Sequence, residues 1–334
     1  MFLFLLFIFI ISFLTTLLTV PLIISYSKKH KIGGNDVHKK GKPFIPGLGG
    51  IAIVLSLSVS FLISYFIFLS NTLSLFFDSF QSYRIADFMF SALIIVIGTA
   101  IIGLIDDFIS IPHKIKLFLP VLVSIPLILQ LFNWTHILSI PFIGPLYFIP
   151  LDLYLFVLVP IGMMAVTNVT NTFAGFNGLE AGLAAVISFF LILIGFTHNI
   201  PLVLLLSVPL FASCIAFLFF NWYPAKVFID DVGTLTIGAT IATAVIIGGL
   251  EVVGFILLLP YIIDFIFFKV PNKLPSLHWW GTLKNGKLYH KGKAVHFGQF
   301  VLSKFNGLKE YELVSIFILF EILLGIIAFI VSFF

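Results

Sequence analysis

Long apolar runs alternate with short polar clusters from one end of the chain to the other. A bilayer-crossing helix needs about 20 mostly apolar residues. The runs predict about ten such helices: Phe2–Ile24, Leu48–Leu69, Phe88–Ile105, Leu117–Phe132, Leu153–Val169, Leu179–Thr197, Pro201–Phe220, Leu235–Gly249, Val252–Phe268 and Leu313–Phe333. The first run lacks a basic segment before it and a small-residue cleavage site after it, so it reads as a retained helix rather than a signal peptide. Lys28, Lys29 and Lys31 follow it instead.

Orientation follows from the basic residues, which concentrate in cytoplasmic loops of membrane proteins. All of the 18 Lys and Arg residues except Arg84 fall in alternate loops, those after spans one, three, seven and nine. One face of the molecule is therefore basic and expected to be cytoplasmic, with both termini outside. The polar clusters collect on that same face: Asn35-Asp36-Val37-His38, Asp106-Asp107, Asn168 to Glu180, Asn221 to Asp231 and the loop Val270–Glu310. The opposite loops are nearly featureless. One loaded face and one bland face suit an enzyme working at the membrane surface. A transporter would need polar residues through the bilayer, and a scaffold has no use for grouped acids.

Composition removes the soluble alternatives. Residues are 60% hydrophobic and only 10% charged, against roughly 25% charged in soluble chains. The reading is an all-α polytopic membrane protein, one domain over residues 1–334, with residues 270–310 as a loop subregion. The single cysteine, Cys214, precludes an intramolecular disulfide. An isoelectric point near 9 does not indicate nucleic acid, because the basic residues lie in loops between membrane segments.

Four features could carry chemistry. Asp106 and Asp107 end span three, where paired carboxylates need a cation or proton to offset them. They read as a Mg²⁺ or phosphate site, or as a helix-end anchor. Lys116 could reach back to neutralise a phosphate, or could snorkel at the interface. Next comes Thr167-Asn-Val-Thr-Asn-Thr-Phe-Ala-Gly-Phe-Asn-Gly-Leu-Glu180, where Asn168 and Asn171 share a helix face if span five extends that far. Amide oxygens there suit a hard cation, and Asn side chains also serve as interhelical glue. Asp230 and Asp231 precede span eight and add two acids to a face that already has two. Together the acids, amides and lysines fit a Mg²⁺–diphosphate site, with Mn²⁺ as the alternative cation.

The long loop holds Lys284-Asn-Gly-Lys287, which predicts a type I′ β-hairpin. His278-Trp279-Trp280 reads as a stacking platform for a sugar or base, or as interfacial tryptophans. His290 and His296 lack metal-ligand spacing. Asp264, inside span nine, is either a pathway residue or a paired structural acid.

In this order the clusters resemble the polyprenyl-phosphate N-acetylhexosamine-1-phosphate transferases, and within them the eukaryotic and archaeal dolichyl-phosphate N-acetylglucosamine-1-phosphotransferase branch. The matching stretches are Gly103-Leu-Ile-Asp-Asp-Phe with His113-Lys-Ile-Lys-Leu-Phe-Leu-Pro120, Thr167 to Gly182, and Asn221-Trp-Tyr-Pro-Ala-Lys-Val-Phe-Ile-Asp-Asp231. The resemblance implies ten membrane helices with a cytoplasmic site, Mg²⁺ on Asn171 and Asp231, and paired acids at Asp106 and Asp107. It also implies a pyrophosphate lysine at Lys116 and nucleotide contacts around Asn177, with Asp36, Asn168, Lys226 and Lys273 as further substrate-binding candidates. Two departures stand out. Asp230 replaces the family's usual Gly, and Val270-Pro-Asn-Lys-Leu-Pro275 replaces an Arg/His-rich segment, so that only Lys273 remains there to approach phosphates. The absence of adjacent histidines in that loop argues against a pentapeptide-bearing substrate.

The implied reaction moves N-acetylglucosamine 1-phosphate from UDP-N-acetylglucosamine to a polyprenyl phosphate of the dolichyl type in the bilayer, releasing UMP. Asp106 would take the lipid-phosphate proton or orient that phosphate. A covalent aspartyl intermediate is the less favoured route, since a bound phosphate is already a nucleophile. A homodimer is left open as the assembly.

Overall fold

The computed structural model describes residues 1–70, 72, 79–132, 139–140, 144–145, 150–273 and 281–334. His278, Trp279 and Trp280 lie outside the described residues. The first half contains α1 (Phe2–His30), the strands β1 (Gly33–Asn35) and β2 (Phe44–Pro46), α2 (Gly50–Leu69), α3 (Ser79–Ile109), α4 (His113–Val123) and α5 (Ile125–Leu131). Strands β3 (Ser139–Ile140) and β4 (Gly144–Pro145) follow, then α6 (Leu151–Leu153), which runs through a π-turn at Tyr154–Leu158 into α7 (Val159–Thr172). Beyond them are α8 (Leu179–Thr197), α9 (Pro201–Asn221), α10 (Asp230–Gly248), α11 (Glu251–Leu257) and α12 (Leu259–Ile263). Strands β5 (Thr282–Lys284) and β6 (Lys287–Tyr289), then α13 (Phe297–Lys304) and α14 (Glu310–Val331), complete the chain.

Among the described residues, nine helices are long and apolar enough to cross a membrane, and one bent pair makes a tenth span. The protein is a helical polytopic membrane protein. The bent pair is span nine, which the apolar run alone presents as straight. It turns by 66° between Glu251–Leu257 and Leu259–Asn272, because Pro260 in the first turn of α12 cannot continue the preceding hydrogen-bond ladder. The predicted hairpin forms as expected: Asn285 and Gly286 both have positive φ, 51° and 74°, the pair a type I′ turn requires. Strands β5 and β6 pair antiparallel around it.

The α10 helix is the axis of the bundle, with 89% of its most apolar stretch buried, whereas the rim span made of α4 and α5 has 22%. Small residues make this position available. Its Thr236, Thr240 and Thr243 hydroxyls donate to carbonyls four residues back, at 2.7–2.8 Å, so each is satisfied without a partner helix. A Cβ on Gly50 of α2 would stand 2.3 Å from the Cα of Gly233, and one on Gly103 of α3 would stand 2.5 Å from the Cα of Val232. Both helices therefore meet the start of α10 backbone to backbone.

That start lies five residues earlier than the apolar pattern predicts, at Asp230 rather than Leu235. Similarly, α3 continues to Ile109 and α7 to Thr172. The site residues accordingly sit on the terminal turns of rigid helices rather than in loops. Gly50→Ala should lower the thermal midpoint in detergent, by overpacking worth about 2 kcal/mol. Gly162→Ala should be tolerated, because its nearest new neighbour is a flexible Ile246 methyl at 3.9 Å. Equal stability of the two variants would refute close α2–α10 packing.

Candidate active site

The first turn of a helix leaves backbone N–H groups without intrahelical partners. At α10 those groups are answered from another helix. Asp107, in the last turns of α3, accepts the N–H of Asp231 at 2.9 Å through Oδ1 and that of Val232 at 3.1 Å through Oδ2. Both its oxygens are thereby engaged, and Asp107 fixes the direction of Asp231. Asp106 points the other way. Its Oδ1 accepts the Ile111 N–H at 2.6 Å, closing the α3–α4 turn, and its Oδ2 lies 2.6 Å from the ammonium of Lys116.

Lys116 is the centre of the cluster. It comes from the first turns of α4 and donates to Asp231 Oδ2 at 2.5 Å while contacting Asp106. Asn171, near the end of α7, donates to Asp231 Oδ1 at 2.6 Å and to the Thr234 hydroxyl at 2.8 Å. Three helix ends thus deliver Asp106, Asp231 and Asn171 around one ammonium. Burial makes such an arrangement costly unless opposite charges offset it, and here two carboxylates share the Lys116 cation.

This donor set fits a hard divalent ion. Asp106, Asp231 and Thr234 offer oxygens, and Asn171 offers a fourth when its amide turns over. The two carboxylates already converge on one cation, so a second cation among them meets charge of the right sign.

Asp230 does not join them. Its Oδ2 accepts the Leu48 N–H at 2.6 Å, tying the segment before α2 to the head of α10. Its φ of 54° lies in the left-handed region, where Gly is at ease and Asp is among the better-tolerated side chains. The extra acid thus replaces a glycine that this backbone would suit, and its carboxylate is used as an anchor.

A cavity of about 310 Å³ opens beside Asp231 and extends past Glu180 and Asn177 to Asp36 and His38. Its far wall is a second charge cluster organised by Lys39. That ammonium contacts Asp36 Oδ2 at 2.9 Å, Glu310 Oε2 at 2.6 Å and Asn177 Oδ1 at 2.8 Å, and stands 4.2 Å from the centre of the Tyr223 ring. Asn177 is fully engaged: its Oδ1 also accepts the Ala225 N–H at 2.8 Å and its Nδ2 donates to Asp36 at 3.2 Å. The Asp36 and Asn177 side chains are therefore wall-building residues, with their polar atoms turned to protein partners.

Asn168 donates to the carbonyls of Leu117, at 3.0 Å, and Met164, at 2.8 Å, so it ties α7 to the helix that carries Lys116. Lys226 and Lys273 are exposed and form no ion pair among the described residues, leaving Lys116 as the cation the structure brings to the acids. Lys39, Glu310 and Thr234 escape a reading of the sequence. Lys39 follows Asp36 by three residues and Glu310 opens the last span, yet nothing in the pattern signals that positions 271 apart meet.

His38 stacks on Phe176 with ring centres 5.0 Å apart, and its buried Nε2 has no protein partner. Burial lowers its pKa to about 4, against an opposing pull from Asp36.

Comparison with known proteins follows the same boundaries. The glycosyl transferase family 4 pattern matches residues 89–249, a stretch that contains Asp106, Asp107, Lys116, Asn171 and Asp231. A protein of Saccharolobus solfataricus, provisionally named UDP-N-acetylglucosamine–dolichyl-phosphate N-acetylglucosaminephosphotransferase, is 32% identical over 96% of this chain and 94% of its own. A protein of the same provisional name from Sulfolobus acidocaldarius is 32% identical over 96% and 93%. A phospho-N-acetylmuramoyl-pentapeptide-transferase of Clostridium botulinum is 27% identical over 96% and 94%. Fold and relatives together are those of a polytopic membrane glycosyl-1-phosphate transferase. The chain belongs to glycosyl transferase family 4.

Two outcomes are expected. Asp230→Gly should keep activity within about tenfold, some 1.4 kcal/mol of barrier, because its carboxylate serves Leu48. Asp107→Asn should lose much more, since an amide offers one acceptor where two N–H groups need one each. Equal losses in a transfer assay would show that Asp230 works inside the site. For His38 the folded pKa lies below the unfolded value of about 6.5. Between these values the unfolded chain binds the proton and the folded one does not. The stability that His38 contributes is therefore full above about pH 6.5 and falls toward pH 4. His38→Asn should flatten the drop in thermal midpoint between pH 7.5 and 5; an unchanged drop would place its origin elsewhere.

Proposed function

We propose that this enzyme transfers N-acetylglucosamine 1-phosphate from UDP-N-acetylglucosamine to a dolichyl-type polyprenyl phosphate at the cytoplasmic face, with UMP as the leaving product. The observation that carries the reading is the Lys116 ammonium held between Asp106 and Asp231 beside the cavity. An anionic diphosphate needs such a cation, and the cavity leading away from Asp231 suits the rest of a nucleotide sugar. The names of the archaeal relatives support the choice of sugar and lipid. The lysine-rich loops on the site's face support the cytoplasmic orientation.

A second cavity supports a site for the lipid substrate. An apolar cavity of about 370 Å³ runs between α7, α10 and the bent span, lined by Val159, Val166, Val169, Ile246 and Leu258. It rises along α7 toward the turn that carries Asn171. An isoprenoid chain lying in it would bring its phosphate to the end of α7.

In the reaction an acceptor phosphate oxygen attacks the sugar-linked phosphorus. The bond to the bridging oxygen breaks, and that oxygen leaves on UMP with the electron pair. Lys116 stabilises the charge that grows on the departing phosphate. Asp106 orients Lys116 and faces the incoming phosphate, whose second pKa near 6 makes a separate base of little use at pH 7. Asp107 holds Asp231 in place. Asp106, Asp231, Thr234 and Asn171 would hold Mg²⁺, which when bound supplies charge neutralisation of the diphosphate.

Incubation with labelled UDP-N-acetylglucosamine and dolichyl phosphate should give a sugar-diphospholipid and UMP in equal amounts, with UDP-N-acetylgalactosamine used poorly. Preference for the galactose epimer, or hydrolysis without transfer, would overturn the reading. Lys116→Ala should lower kcat on the order of 10²-fold and raise the donor KM much less, because the leaving charge grows toward the transition state. Unchanged turnover per folded molecule, in both Lys116→Ala and Lys116→Arg, would make Lys116 an interfacial anchor.

A further inference from the structure

Span nine ends in a π-turn, Asp264–Lys269, which lies outside the machinery described above. Asp264 is fully buried. Its Oδ1 accepts the N–H of Phe297 at 2.7 Å, the first residue of α13, and so caps that loop helix from outside it. Its Oδ2 lies 3.4 Å from the ammonium of Lys269. Lys269 is buried too, and it donates to the main-chain carbonyl of Thr172. Thr172 is the last residue of α7, and the last carbonyls of a helix have no intrahelical partner. One residue before it stands Asn171.

A cation under a helix C-terminus is favoured by the helix dipole, but a buried ammonium also needs a counter-charge. Asp264 provides it. The chain of contacts runs from α13, through Asp264 and Lys269, to the final turn of α7. Phe173, next in sequence, is buried and packed edge-on against Tyr261 of α12, 5.4 Å between ring centres, and against Phe317 of α14 at 5.2 Å. Asn168 pins α7 one turn earlier by its bond to Leu117. The Asn171 amide reaches Asp231 and Thr234 at 2.6 and 2.8 Å, so its place depends on how firmly the last turn of α7 is held.

We propose that Asp264 and Lys269 are positioning residues that fix Asn171 at the metal-binding end of α7. They couple that end to the loop helix α13. This inference rests on the metal site of the proposed function. Removing the ammonium frees the Thr172 carbonyl and lets the last turn fray, while Asn168 keeps the rest of α7 in register. The consequence falls on cation affinity through Asn171.

The test uses the full-length enzyme in nanodiscs, with Mn²⁺ as probe and electron paramagnetic resonance as readout. Lys269→Met should weaken Mn²⁺ binding about tenfold, as loss of a ligand-orienting contact does. Lys269→Arg should restore most of the affinity. The combination Asn171→Ala with Lys269→Met should bind Mn²⁺ no more weakly than Asn171→Ala alone, because the lysine acts through Asn171. Where Lys269→Met does not fold, Asp264→Asn is measured in the same way, and wild-type affinity in it overturns the proposal. An additive loss in the double variant overturns it, as does a rise in acceptor KM alone, which would mean that Lys269 touches the lipid phosphate. Wild-type enzyme that binds no Mn²⁺ removes the metal reading and this inference together. Normal wild-type binding with an additive double variant removes the inference only.

Discussion

Everything at the site depends on how the exposed backbone at the head of α10 is satisfied. A backbone N–H buried out of reach of water and left unpaired costs several kcal/mol. The carboxylate of Asp107 from α3 meets two of these groups at once. It can do so only because the α3 and α2 backbones come within contact of α10 at Gly103 and Gly50, where any side chain would collide. The clasp sets Asp231 on the inner side of the turn, facing Lys116. The small-residue helix packing and the charge cluster are two aspects of one constraint.

Two lysines organise two clusters of acids on this face. Lys116 serves Asp106 and Asp231, and its cluster borders open volume. Lys39 serves Asp36 and Glu310, and Asn177 fills its remaining contact. The Lys39 group lines the same cavity through Asp36 and Asn177, and it joins the first loop, the α7–α8 turn and the start of α14 into one wall.

Much of this was legible in the sequence, for physical reasons. Span positions follow from the run of apolar residues, because the bilayer imposes a length. The sharing of one face by the polar clusters follows from the lysines alone. The hairpin is legible because Asn285-Gly286 admits few turn types. The Asp106, Lys116, Asn171 and Asp231 juxtaposition was anticipated by the resemblance and is brought together by the structure. What stayed hidden was of another kind. Hydropathy began span eight at its first strongly apolar residue, Leu235, so Asp230 and Asp231 looked like loop acids rather than members of a helix turn. The role of Asp107 is invisible in sequence because its partners are backbone groups more than 120 positions away. Lys226 and Lys273 read as further phosphate candidates behind Lys116, and only the packing shows that they stand in the open while Lys39 and Lys269 go inside.

In the proposed reaction the donor's diphosphate lies against Lys116 at the head of α10. A structure of the enzyme with UDP-N-acetylglucosamine and Mg²⁺ tests this most directly. The expected result is phosphate oxygens within hydrogen-bond reach of the Lys116 ammonium, the metal on Asp231, and the uridine carried away from Asp231 into the cavity toward His38. A diphosphate seated instead beside Lys226 or Lys273, with Lys116 still clasped between Asp106 and Asp231, would contradict it.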